Sequence, residues 1–297
     1  MSASRSMRKC FRVGLGSDDT ECDRAAHKVK LGDDVFLDIC FTRMFTPRSS
    51  TTMSSGTRAS LIASRVLRVA GTHRPAPSLF YYPGLTSKAW HERSATWAQP
   101  WIQQLEASTG AILEEYQALN SLNLPSDYEA DQTDHASALH TGAKKWHWAS
   151  LIDRGVRRPQ MMARCPTTTT VLESIPGLCV GDMPFAFAFF STLAPKSKIA
   201  PHCAPANLRL RVHLPLLVPE PERCGIRVAG ETRQWEVGKA LIFDDAFEHE
   251  TWNDGDADRV VLLFDLWHPD LSPEERVAIQ AMFADVDDRR RKRAAGL

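Results

Sequence analysis

Three histidines and three arginines in the C-terminal half of this chain could do chemistry together. His202 lies in Ala200-Pro201-His202-Cys203-Ala204-Pro205, and His249 lies 47 residues later in Phe247-Glu248-His249-Glu250. Imidazole is a common ligand for zinc, copper and iron. Ligands so distant in sequence need a fold to unite them, so spacing alone leaves a purely structural role open for each. Arg259 follows His249 by ten residues, across the turn Asn253-Asp254-Gly255-Asp256. A hairpin there would set His249 and Arg259 on adjacent strands facing one interior.

Residues 208–214 alternate strictly, Leu-Arg-Leu-Arg-Val-His-Leu. Successive side chains of a strand point to opposite faces. Leu208, Leu210, Val212 and Leu214 therefore share one face, and Arg209, Arg211 and His213 share the other. An antiparallel strand with one face in water would give the same pattern. If the strand lines a cavity in a small β barrel, that polar face would bind an acid. Arginine suits the task, because its planar fork grips a carboxylate with two parallel hydrogen bonds.

The surrounding elements must position these groups. From Met183 the sequence has a period of two, with Phe185, Phe187 and Phe189 alternating with small residues. Ala240 to Phe243 and Val260 to Leu266 are apolar runs of strand length. Short strands separated by turns such as Val237-Gly238-Lys239 predict a β sandwich or barrel. Before them, Phe80-Tyr81-Tyr82-Pro83-Gly84-Leu85 reads as an extended entry closed by a Pro-Gly turn. Trp101 to Leu119 reads as one amphipathic helix, with Trp101, Leu105, Ile112 and Tyr116 on one side. Residues 120–142 read as a polar loop, and Thr167 to Ile175 as a short helix stopped by Pro176-Gly177. Ser272-Pro273-Glu274-Glu275 carries an N-cap, a first-turn proline and a capping-box glutamate. The helix it opens ends in Arg289-Arg290-Arg291-Lys292-Arg293, read as a solvated end.

Bulk properties narrow the function classes. The 297 residues carry 36 Lys+Arg against 36 Asp+Glu, a net charge of zero, so no global field would draw nucleic acid. Seven cysteines contain no C-x-x-C pair, which argues for reduced thiols rather than a zinc knuckle or a disulfide framework. No apolar run reaches the roughly 20 residues of a transmembrane helix. Residues 1–75 read as a disordered extension. Within it, 44–75 is rich in Arg and Ser and free of acid, the composition of an organelle transit peptide. Met44 or Met53 is then the expected start, with 1–43 an upstream extension; a tail without an address has the same composition. The expectation is a soluble chain, cytoplasmic or organellar, outside the secretory pathway.

The ordered set Ala200-Pro201-His202, Asn207 to Leu214, Leu241-Ile242-Phe243-Asp244-Asp245, Phe247-Glu248-His249-Glu250 and Asp265-Leu266-Trp267-His268-Pro269 resembles the aspartyl/asparaginyl β-hydroxylases. These are 2-oxoglutarate oxygenases. Phe80 to Leu85, Trp90 and Arg164-Cys165-Pro166-Thr167 also look like the family, so the resemblance spans roughly residues 79–280 within a domain expected over 76–290.

This resemblance implies a mainly β fold with flanking helices around a double-stranded β-helix, the cupin-like jelly-roll. It implies Fe(II), 2-oxoglutarate as cosubstrate and O₂. His202 and His249 would ligate iron, and Arg259 would pair with the distal carboxylate of 2-oxoglutarate. Ser191, Arg211 and His213 would help hold the cosubstrate, and Arg209 and Asp245 would be candidate substrate contacts. The position two after His202 is Ala204 where the family often has Gly; neither supplies a carboxylate, although Asp244 or Asp245 could approach the metal instead. Thr169 takes the place of a cysteine that secretory members pair in a disulfide, which leaves Cys179 without that partner. The implied substrate is a peptidyl Asp or Asn or a related group. The alternatives are a lipid or small-molecule hydroxylase on the same site, or a non-catalytic binding protein.

Overall fold

A computed structural model describes residues 26–30, 36–40, 74–128, 140–141 and 146–294. Two short strands, β1 (Ala26–Lys30) and β2 (Phe36–Cys40), pair antiparallel within the segment read as an extension. They fall in a separate unit, divided from the remainder between Val66 and Leu67. Residues 44–73 of the transit-like segment, and 129–139 and 142 of the loop read over 120–142, lie outside the described residues, while His140–Thr141 within that loop form a short strand.

The larger unit is built on two antiparallel sheets. Its strands are β3 (Trp90–His91), β4 (His140–Thr141), β5 (Trp146–Asp153), β6 (Val156–Arg157), β7 (Ala188–Leu193), β8 (Ser197–His202), β9 (Arg209–Leu217), β10 (Cys224–Val228), β11 (Glu231–Arg233), β12 (Leu241–Phe243), β13 (His249–Asn253) and β14 (Arg259–Trp267). The large sheet has the order β3-β12-β9-β14-β7-β5-β6, and the small one β11-β10-β13-β8-β4. Sequence neighbours β13 and β14 therefore lie in different sheets. The expected hairpin of adjacent strands is a crossover between the layers instead. Together the sheets form the jelly-roll core that the resemblance implies, flanked by helices.

The large sheet is covered on both faces, which is why its central strand β14 is buried along its whole length. Leu210, Val212 and Leu214 of β9 face outward, in one apolar cluster with Phe190, Leu262 and Phe264. The helices α1 (Gln99–Ala107), α2 (Thr109–Asn120), α3 (Pro159–Arg164) and α4 (Pro166–Glu173) lie on the chain before these strands, and Trp101, Leu105, Ile112 and Tyr116 belong to that same cluster. The single helix expected over 101–119 is two, broken at Ser108. There the Ser108 and Thr109 hydroxyls donate to the carbonyls of Gln104 and Glu106, and such local bonds compete with helix continuation. On the inner face, Phe189, Val261, Leu263 and Phe243 meet Ile226 and Val228 of the small sheet and Trp235.

The last helix, α5 (Pro273–Ala294), opens with the expected capping box: Glu275 N–H donates to Ser272 Oγ, and Ser272 N–H to Glu275 Oε2. Strand β5 and helix α3 were not expected. Cys165, Cys179, Cys203 and Cys224 are free thiols. Among the described residues no helix is long and apolar enough to cross a membrane.

One side chain fastens the crossover. Asn253, fully buried, donates from Nδ2 to the carbonyls of Leu193 (2.9 Å) and Ala257 (2.8 Å), and its Oδ1 accepts from Gly255 N–H. It ties the end of β13 to β7 and to the entry of β14, opposite Arg259. Asn253→Ala leaves these carbonyls and the amide without partners. The expected loss is about 2–4 kcal/mol in urea unfolding with an unchanged denaturant slope.

Candidate active site

The two histidines meet because of one extra residue. Pairing between β13 and β8 runs Asn253↔Ser197, Trp252↔Lys198 and Thr251↔Ile199, then shifts so that His249 opposes His202. Without that shift Pro201 would stand opposite His249, and His202 would point to the other face, because a one-residue slip exchanges the faces of a strand. Proline is tolerated at such bulges, since it has no N–H to give to the ladder. With the bulge in place the two imidazole centroids are 4.1 Å apart.

Each ring is fixed the same way. His202 Nδ1 donates to the Ala200 carbonyl (2.8 Å) and His249 Nδ1 to the Phe247 carbonyl (2.9 Å). A carbonyl only accepts, so the proton sits on Nδ1 and the Nε2 lone pair is left for a metal. Burial lowers the pKa of His202. It pushes His249 well below the usual range, with His202 adding to the effect. Both rings are therefore neutral, the form that ligates. A strap at the start of the unit braces the adjoining loops. Ala76 N–H donates to the Ala246 carbonyl, Ser78 N–H to that of Ala204 and Phe80 N–H to that of Pro205. Asn207 grips the Tyr82 backbone through both ends of its amide. This gives the Phe80–Leu85 motif a structural purpose.

Facing the histidines, the inner side of the large sheet carries its charge in two parts. In the first, Arg209 binds Asp265 (2.6 Å) and Asp245 (2.7 Å), and Arg211 binds the same pair (2.9 and 3.1 Å). Asp265 also accepts from Phe187 N–H. Burial works against the Arg211 charge, yet the two carboxylates more than offset it and raise its pKa. Arg209, Asp245 and Asp265 are sealed in; Arg211 keeps 12% of its side chain exposed. Burial pushes the neighbouring Asp244 up to about 8, so it is mostly protonated at neutral pH. Among the described residues no three His, Cys, Asp or Glu side chains form a metal-holding group, so neither Asp244 nor Asp245 joins the histidine pair.

The second part is Arg259, 1% exposed and, among the described residues, bound to no carboxylate. Its Nη1 lies 3.4 Å from both the carbonyl and the Oγ of Ser191, and its buried Nε has no partner. Burial lowers its pKa to about 10. His213 is buried nearby, and among the described residues neither of its ring nitrogens has a hydrogen-bond partner. Burial drives its pKa well down, helped by the Arg259 and Arg211 charges. Phe243 links the parts, 5.0 Å from the His213 ring and 5.9 Å from that of His249. The interior thus offers two lone pairs for a metal and, beside them, a guanidinium, an imidazole and a hydroxyl for an anion. Trp146, which donates to Ser191 Oγ (2.7 Å), and Asp265 escaped the sequence reading as site residues. So did Trp235, a lone aromatic in a polar stretch without periodicity.

The sequence model of the family Aspartyl/Asparaginyl beta-hydroxylase matches residues 106–269. The chain belongs to this family. It is 34% identical over 212 residues to the Homo sapiens "Aspartyl/asparaginyl beta-hydroxylase", covering 69% of this chain and 26% of that protein. It is 33% identical to the Rattus norvegicus "Aspartate beta-hydroxylase domain-containing protein 2", covering 70% and 59%. It is 38% identical over 177 residues to the Rhizobium tropici "Ornithine lipid ester-linked acyl 2-hydroxylase", covering 59% of each. The chain thus spans between about a quarter and three fifths of the length of these relatives. A Pseudomonas putida prolyl-4-hydroxylase structure is similar at a TM-score of 0.33 and 13% identity, covering 56% of this chain and 98% of that one.

The facing pair gives the site a direct test. His202→Ala removes the imidazole that the bulge sets opposite His249. The variant is expected to keep its β-type circular dichroism and to lose at least 100-fold in affinity for a divalent metal such as Co(II), read by calorimetry. Unchanged affinity would show that the facing pair does not hold the metal.

Proposed function

We propose that this chain is an Fe(II)- and 2-oxoglutarate-dependent dioxygenase that hydroxylates a peptidyl Asp or Asn or a related group. The observation that carries this reading is the histidine pair in one interior with a buried guanidinium that has no counter-ion among the described residues. Two imidazoles with free Nε2 atoms and, among the described residues, no third protein ligand suit a non-haem iron, which needs open positions for cosubstrate and O₂. A buried cation without a partner is costly, and a carboxylate ligand relieves that cost.

His202 and His249 hold the iron through Nε2. Arg259 and the Ser191 hydroxyl take the distal carboxylate of 2-oxoglutarate, and His213 and the exposed edge of Arg211 take the other end. Arg209 and Asp245, expected as substrate contacts, are sealed from the interior space and act instead as positioning residues that hold Arg211 through the shared carboxylates. Bound iron and 2-oxoglutarate supply the oxidising chemistry with O₂. The chain contributes orientation, a water-poor interior and neutral imidazoles. The similarity to a protein named as an ornithine lipid acyl hydroxylase supports a second reading, with an acyl group as the substrate on the same site.

Anaerobic addition of Fe(II) and 2-oxoglutarate should produce the visible charge-transfer band of the chelate; no band would favour a non-catalytic binding protein. Succinate release stimulated by a peptide or by a lipid then separates the two substrate readings. His249→Ala should abolish the band and turnover. A charge-assisted hydrogen bond contributes roughly 1.5–3 kcal/mol, so Arg259→Ala should weaken 2-oxoglutarate by roughly 10- to 100-fold. Wild-type cosubstrate affinity in that variant would remove Arg259 from the site.

A further inference from the structure

The Arg259 guanidinium does not float free. Its carbon lies 4.6 Å from the ring centre of Trp235, over the indole face. Trp235 is 2% exposed, and its indole also stacks against the His213 ring at 6.1 Å and 27°. One aromatic plane therefore touches two of the groups that the proposed function assigns to the cosubstrate. The large sheet supplies both of those groups, from the entry of β14 and from β9. Trp235 comes from neither strand, lying in the stretch between β11 and β12, yet packs with Phe243, Val261 and Ile226 in the cluster between the sheets.

A guanidinium over an indole is attracted by the negative face of the ring, most strongly where water is absent. The contact is also geometric. It restricts a long side chain with several rotatable bonds to one plane while leaving the edge of the fork open. A carboxylate partner would have fixed Arg259 equally well, but would have used up the charge. An aromatic face fixes it and leaves the charge available. The unbonded Nε and the weak 3.4 Å contacts to Ser191 fit a fork held from one side only.

We infer that Trp235 is a positioning residue for the diacid cosubstrate, holding Arg259 and His213 by its ring face so that both stay aimed at the carboxylate. This inference rests on the proposed function. It predicts that the loss on removing the indole appears in cosubstrate affinity rather than in metal affinity, since the ring lies against Arg259 and His213.

The test is calorimetric titration of 2-oxoglutarate into the full-length chain loaded with Mn(II), a stand-in that avoids turnover, for wild type, Trp235→Leu and Trp235→Phe. Mn(II) affinity is measured in parallel. Trp235→Leu is expected to weaken 2-oxoglutarate about 10- to 30-fold with Mn(II) affinity within about threefold of wild type. Trp235→Phe, which keeps a weaker aromatic face, should fall between the two. Wild-type diacid affinity in Trp235→Leu overturns the inference and leaves the proposed function standing. If Trp235→Leu loses Mn(II) as well, Trp235→Phe decides: a two- to fivefold loss of diacid affinity with Mn(II) binding intact supports the inference, and no loss overturns it. Failure of the Mn(II)-loaded wild type to bind 2-oxoglutarate at all overturns both.

Discussion

Three arginines point into the space between the sheets, and the balance of their charges organises everything around them. Taking a guanidinium out of water costs several kcal/mol unless something compensates. Arg209 and Arg211 are compensated by Asp245 and Asp265, two acids shared by two bases in a closed quartet. Arg259 is not, and nothing else in the described structure supplies an anion to it. The fold thus neutralises two of its buried cations with carboxylates and leaves the third, Arg259, against an indole face and the Ser191 oxygens.

The two sheets divide the work. The small sheet contributes lone pairs, because its bulge turns His202 inward and two backbone carbonyls hold the Nδ1 protons. The large sheet contributes charge, because β9 and β14 lie side by side with their polar residues on the inner face. Rigidity comes from outside both. The helices seal the apolar face of β9, and the Ala76–Tyr82 strap bonds to the loops that leave His202 and approach His249. The quartet contributes order too. Asp265 accepts from two arginines and from the Phe187 amide, so β9, β14 and the approach to β7 are locked in one register.

The sequence made some of this legible and hid the rest for physical reasons. Alternation over 208–214 is a local property of a strand, so the faces of β9 could be read directly. Whether the polar face met water or a cavity could not be read, because that depends on a sheet assembled from distant segments. The turn at 253–256 announces a reversal, but turn residues do not say whether the next strand stays in its sheet. Hence β13 and β14 were read as neighbours. Helix periodicity ran through Ser108 because two hydroxyl-to-carbonyl bonds, invisible to an apolar count, end the first helix there. The quartet was missed as such because two of its members sit 20 residues apart, Asp245 in the turn after β12 and Asp265 on β14.

The histidine pair shows the limit most sharply. Ala200-Pro201-His202 is a short motif that any strand end could carry. Its effect depends on a single residue inserted opposite a partner strand 47 residues away. Proline at 201 is a consistent local sign, since it withholds an N–H where the ladder has no use for one. It does not by itself say that the next side chain turns inward. That follows only when the register of β13 is fixed from the other end, by Asn253 bonding across the crossover to β7 and to the entry of β14. The same asparagine that closes the fold near Arg259 thus sets the count that brings His249 to His202. The histidine pair and the placing of Arg259 are two consequences of one register.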